Sequence, residues 1–70
     1  MTVEVFKTNV REAGRSRVLI QKLLAYFPTS KINFDLEDCD KILRVEGADI
    51  CPSRIIELLK LNGHQCEVLD

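Results

Sequence analysis

The stretch Ile32-Asn33-Phe34-Asp35-Leu36, followed by Glu37-Asp38-Cys39-Asp40 and then Leu43-Arg44-Val45-Glu46, decides the fold. In the first segment Ile32, Phe34 and Leu36 alternate with Asn33 and Asp35, the period of two that marks a half-buried strand. In the last, Leu43 and Val45 alternate with Arg44 and Glu46 in the same way. The acidic turn Glu37 to Asp40 joins them, so the two strands are expected to pair antiparallel as a hairpin.

Outward from the hairpin the period changes. On the N-terminal side Ile20, Leu23, Leu24 and Phe27 fall at i, i+3, i+4 and i+7, while Arg17, Gln21 and Lys22 take the opposite face. This predicts a helix that begins near Glu12 or Ser16 and stops before Pro28, since the residue preceding a proline is pushed out of the α region. Thr8 to Gly14 is polar and reads as a loop into that helix. Thr2 to Lys7 alternates again, with Val3 and Val5 on one face and Thr2, Glu4 and Phe6 on the other. On the C-terminal side Pro52 suits a first helical position, and Ile55, Ile56, Leu58 and Leu59 supply an apolar face. Asn62-Gly63 stops that helix, and Cys66 and Val68 alternate with Glu67 in a last short strand.

The order β-α-β-β-α-β, two right-handed βαβ units joined by a hairpin, predicts an α+β ferredoxin-like sandwich. Its four-stranded antiparallel sheet carries both helices on one face. Residues 1–70 are expected to form a single domain.

Composition narrows the function. Seventy residues, 46% hydrophobic and 30% charged, suit a small globular domain with little material for an enclosed substrate pocket. An enzyme is not expected. No stretch approaches the roughly 20 apolar residues of a bilayer span, and the start Met1-Thr2-Val3-Glu4 lacks the basic and apolar regions of a secretion signal. A cytoplasmic location and no membrane partner are the expectations. Net charge is −1, but residues 1–31 carry +4 and residues 32–70 carry −5. That asymmetry would steer a charged partner or pair two copies, unless folding mixes the halves and cancels it. With no net positive charge and few aromatics, the chain lacks the electrostatic footprint of a nucleic-acid binder. Cys39, Cys51 and Cys66 stand apart, an odd count without a Cys-x-x-Cys pair, which argues for free thiols in a reducing compartment.

Lys31 to Gly47, Ile50 to His64 and Gln65 to Leu69 together resemble the heavy-metal-associated domain of copper chaperones and metal-transporting ATPases. In that family a Val-x-Val-Asp-type strand precedes a hairpin, a Ser/Thr-Pro-like start opens the second helix, and Ala-Gly-Tyr closes it. Asn62-Gly63-His64 stands at the last of these places. The resemblance covers nearly the whole chain and implies the same fold. The family's Met-x-Cys-x-x-Cys loop, whose two thiolates hold a soft ion, would fall on Asn9-Val10-Arg11-Glu12-Ala13-Gly14. Arg11 and Gly14 then occupy the cysteine places, and no cysteine precedes residue 39. A guanidinium there repels a cation, so the resemblance does not bring the ion-carrying chemistry with it.

The remaining candidates follow from residue type. Asn9, Arg11, Gly14, Arg15 and Arg17 flank the start of the first helix, where guanidinium forks and helix N–H groups suit an anion or an acidic partner. With only one glycine the loop makes a weak phosphate cradle. Cys51 precedes Pro52 at a helix start, where a thiol can be activated; the plainer reading is a tolerated cap. His64 and Cys66, two apart, would point to the same side of a strand and, with Cys51 or a second chain, could bind copper or zinc. The plainer reading makes Cys66 a small core residue. Asp35, Glu37, Asp38 and Asp40 match no calcium loop and read as a solvated turn. The expected role is therefore a small binding or interaction module, working through the first loop and an exposed sheet edge on a protein partner or a second copy. A soft-metal role through Cys51, His64 and Cys66 is the alternative.

Overall fold

A computed structural model describes residues 2–69. Its elements are β1 (Thr2–Thr8), α1 (Ala13–Tyr26), β2 (Lys31–Asp35), β3 (Ile42–Gly47), α2 (Pro52–Leu61) and β4 (Cys66–Val68). The strands form one sheet in the order β2-β3-β1-β4, every neighbour antiparallel. This is the ferredoxin-like arrangement that the sequence periods predict.

Register decides which side chains face inward. Phe34, Leu43, Phe6 and Val68 lie in one row across the sheet, and Ile32, Val45 and Glu4 in the next. Phe6, Leu43 and Val45 join Leu19 and Leu23 of α1, Ile55 and Leu59 of α2, and Val10 in a single core. Both helices therefore cover the same face. In β1 both phases of the alternation carry apolar residues, and the buried phase is Phe6 and Thr8, while Val3 is 42% exposed. The open face presents Lys31, Glu46 and Val3 in one row and Asn33, Arg44 and Val5 in the next. None of the four aromatic residues lies on it: Phe6, Phe27 and Phe34 pack in or against the core and Tyr26 is on α1. It thus offers no stacking platform for unpaired bases.

Two glycines are required by their surroundings. Gly63, at φ +83°, completes the C-terminal cap of α2: its N–H donates to Lys60 O at 3.0 Å and that of His64 to Leu59 O at 2.9 Å. These two bonds satisfy carbonyls that the helix end would otherwise leave orphaned. Gly47 ends β3 against the α1–β2 loop, where a Cβ would stand 2.6 Å from Ser30 Oγ.

Several boundaries differ from expectation. α1 starts at Ala13, so Gly14, Arg15 and Arg17 are helical residues. β2 ends at Asp35, and Leu36 belongs to the turn while still packing on the core. His64 is not part of a strand; the helix cap holds it before β4 begins.

Candidate functional site

The topology gathers three connections at one end of the sheet: the β1–α1 loop, the β2–β3 turn and the α2–β4 turn. Phe6 pairs with Leu43 and Thr8 with Cys66, so the end of β1 meets the starts of β3 and β4 there. Hydrogen bonds tie the three together. Thr8 N–H donates to Asp40 O at 3.1 Å, and the Thr8 hydroxyl donates to Lys41 O. That hydroxyl also accepts from Val10 N–H at 3.3 Å, and Asn9 Oδ1 accepts from Gln65 N–H at 2.9 Å. Val10 is fully buried in the core. A loop of polar sequence is thus pinned by an apolar anchor and by side-chain bonds to both neighbouring turns.

Arg11, Gly14, Arg15 and Arg17 are all exposed, as is Asn9 apart from its bond to Gln65. α1 has no acidic residue in its first turn, and the Glu12 side chain makes no capping bond. The positive end of the helix dipole is therefore not offset by an acidic side chain of that turn. Among the described residues the only ion pair is Lys7 Nζ–Asp40 Oδ1 at 3.8 Å, so none of the three guanidiniums is used within the fold. The acidic turn lies at this same end. The β1–α1 loop and the acidic turn are neighbours there, joined through Thr8 N–H and Asp40 O.

In that turn Asp38, Cys39 and Asp40 place ligand atoms within 4.8 Å of one another, the one such trio among the described residues. Its carboxylates already have work. Asp38 Oδ1 accepts from Asp40 N–H at 2.8 Å, Asp35 Oδ1 accepts from Glu37 N–H at 3.2 Å, and Lys7 approaches Asp40. Lys41 takes φ 48° and donates from Nζ to Leu36 O at 2.8 Å, closing the turn. The turn is thus closed by its own side-chain bonds.

Cys51, His64 and Cys66 are not brought together. Cys51 caps the N-terminus of α2 at the opposite end of the sheet from β4's start, and α2's ten residues put about 15 Å of helix between it and His64. That distance is too long for one ion, whose ligand bonds are about 2.0–2.3 Å. It is equally too long for a cysteine nucleophile with a histidine base. Cys51 is exposed and makes no side-chain cap bond. Cys66 is half-buried against the core, and burial, with a smaller push from Glu67, raises its thiol to about 12. It stays protonated at neutral pH, which makes it a poor nucleophile. His64 Nε2 is buried without a hydrogen-bond partner. Arg11 lies in the β1–α1 loop and Gly14 in the first turn of α1.

Two surface hollows complete the description. One of about 280 Å³ lies beside the loop against β4, lined by Lys7, Thr8, Gln65, Cys66 and Glu67. The other, about 290 Å³, lies between the end of α1 and α2, lined by Tyr26, Phe27, Arg54, Glu57, Leu58 and Leu61. No helix among the described residues is long and apolar enough to cross a membrane.

Val10 and Thr8 are the residues sequence reasoning missed. The signal is present: Phe6, Thr8 and Val10 continue one alternating phase past the end of β1.

Comparison with protein-family models, curated proteins and solved structures returned no match. The fold and site together define a small α+β domain with a pinned β1–α1 loop and exposed arginines at its end and on the start of α1.

Proposed function

We propose that this chain is a small binding module whose working surface is the β1–α1 loop and the start of α1, and that it takes an acidic segment of a protein partner. The observation that carries the reading is the pairing of a fixed loop with uncommitted charge. Val10 and the Thr8 and Asn9 bonds hold the backbone, while Arg11, Arg15 and Arg17 stand exposed without an acidic partner. The loop backbone is already fixed and need not be ordered on binding, and guanidiniums form bidentate bonds to carboxylates. If the sequence resemblance to heavy-metal-associated domains is followed, the place of the ion-gripping loop is given over to a different ligand chemistry.

Oligoglutamate tests this, with oligolysine as the opposite-charge control. Binding of oligoglutamate that weakens about tenfold or more in Arg11→Glu, and weakens with rising salt, supports the reading. Equal affinity for the two polymers, or indifference to Arg11→Glu, overturns it.

A further inference from the structure

We propose that a second copy of this chain docks along β2, edge to edge and antiparallel, in the single register that centres Asn33 on Asn33 of the other copy. This goes beyond the loop reading: it concerns a different surface, the sheet edge, and names its occupant and its alignment.

The sheet has two edges, and they are unequal. β4 is three residues long. β2 is five residues long, and its pairing with β3 runs one-to-one from Lys31 to Asp35, so no bulge twists the edge away. β2 contains no proline, and its charged residues, Lys31 and Asp35, are at its ends and point to the open face. The edge therefore has no proline, no bulge and no inward-pointing charge to block pairing, and its two charges are of opposite sign.

The edge is also complementary to itself. When two copies of β2 run antiparallel about a two-fold axis, registers that keep inward side chains with inward side chains centre on Ile32, Asn33 or Phe34. Centring on Asn33 pairs all five residues: Lys31 faces Asp35, Ile32 faces Phe34, and the reverse follows by symmetry. Either other choice shortens the pairing and leaves Lys31 or Asp35 without its opposite charge. The Asn33 register also continues the inward rows, because Ile32 and Phe34 are only half-buried at this edge and each would be covered by the other. Above the edge, the flank of α1 turned away from α2 carries Ile20 and Leu24, both half-buried, which a second copy would cover further.

A five-residue edge with one helix flank falls short of the roughly 1,600 Å² of a standard stable interface. The dimer is therefore weak and concentration-dependent, with association expected in the range of about 10 μM to about 1 mM.

Sedimentation of the full chain across that range tests the proposal, using Lys31→Asp, Asp35→Lys and the double exchange carrying both. Each single change sets like charges opposite each other at two symmetric places. The expected result is a loss of association of about tenfold to thirtyfold in each single variant and recovery in the double exchange. Circular dichroism melts confirm that each variant is folded, and hydrogen exchange at Ile32–Phe34 that slows with concentration gives a readout on the wild type. A wild-type chain that stays monomeric to about 1 mM, or a double exchange that does not recover, overturns the proposal. Oligoglutamate binding by the same variants separates the two readings: its survival in a chain that fails to dimerise removes the edge proposal alone, and its absence in a chain that dimerises removes the loop reading alone.

Discussion

Truncating Val10 to alanine tests whether the first loop is pinned from beneath. Val10 is 0% exposed and is the apolar anchor of an otherwise polar connection. Deleting two methyl groups forfeits about 1.6 kcal/mol of transfer free energy, at about 0.8 kcal/mol each. A residual cavity of about 40 Å³, at about 24 cal/mol per Å³, adds about 1 kcal/mol. The expected cost is therefore about 2–3 kcal/mol, which lowers the melting temperature of a domain this size by about 10–20 °C. Val18, 44% exposed on α1, is the control. There the same change swaps a β-branched residue for the best helix former and alters stability by no more than about 0.5 kcal/mol. Urea titrations followed by circular dichroism measure both. If Val10→Ala is as mild as Val18→Ala, the loop is not anchored and the preorganisation argument fails with it.

Four further outcomes are expected. Iodoacetamide at pH 8 modifies the exposed Cys39 and Cys51 well before Cys66, as mass spectrometry will read; equal rates would contradict a half-buried thiol held up to about 12. Because the unfolded chain releases that proton near 9 and the folded chain only near 12, folding stability falls as pH rises between the two, and a melting temperature flat across that window would count against the burial. Gly47→Ala sets a Cβ 2.6 Å from Ser30 Oγ and costs about 1–3 kcal/mol, less in a Ser30→Ala background; additivity of the two changes in denaturant titrations would refute the contact. Gly63→Ala meets no atom within 4 Å but must hold φ +83°, so it costs about 1–2 kcal/mol from backbone strain alone, and a neutral result would mean the helix cap rearranges freely.

Most of the architecture is readable in the sequence because its periods are unambiguous. The hairpin strands, the two helices and the Asn62-Gly63 stop all appear where the apolar spacing and cap chemistry place them. In β1 the period was plain but its phase was not, since Val3 and Val5 compete with Phe6 for the inside and only pairing with Leu43 settles the matter. Val10 escaped because the alternation that leads to it, Phe6-Thr8-Val10, runs through a polar residue and past the end of the strand, so it reads as an isolated apolar residue in a loop. The arginines were legible as a cluster, but their freedom from internal partners needs coordinates. Within one chain, Cys51 is kept from His64 and Cys66 by connectivity alone. In β-α-β-β-α-β order a residue after β3 and a residue before β4 lie at opposite ends of the sheet, however similar their ligand chemistry.

The pinned loop as the working surface is tested most directly by titrating oligoglutamate into the isotopically labelled chain and following backbone amide shifts by NMR. Movement concentrated on Asn9 to Arg17, saturating with ligand and abolished in Arg11→Glu, is the predicted result. Shifts confined to the open face of the sheet or the groove between the helices, with Asn9 to Arg17 unmoved, would contradict it.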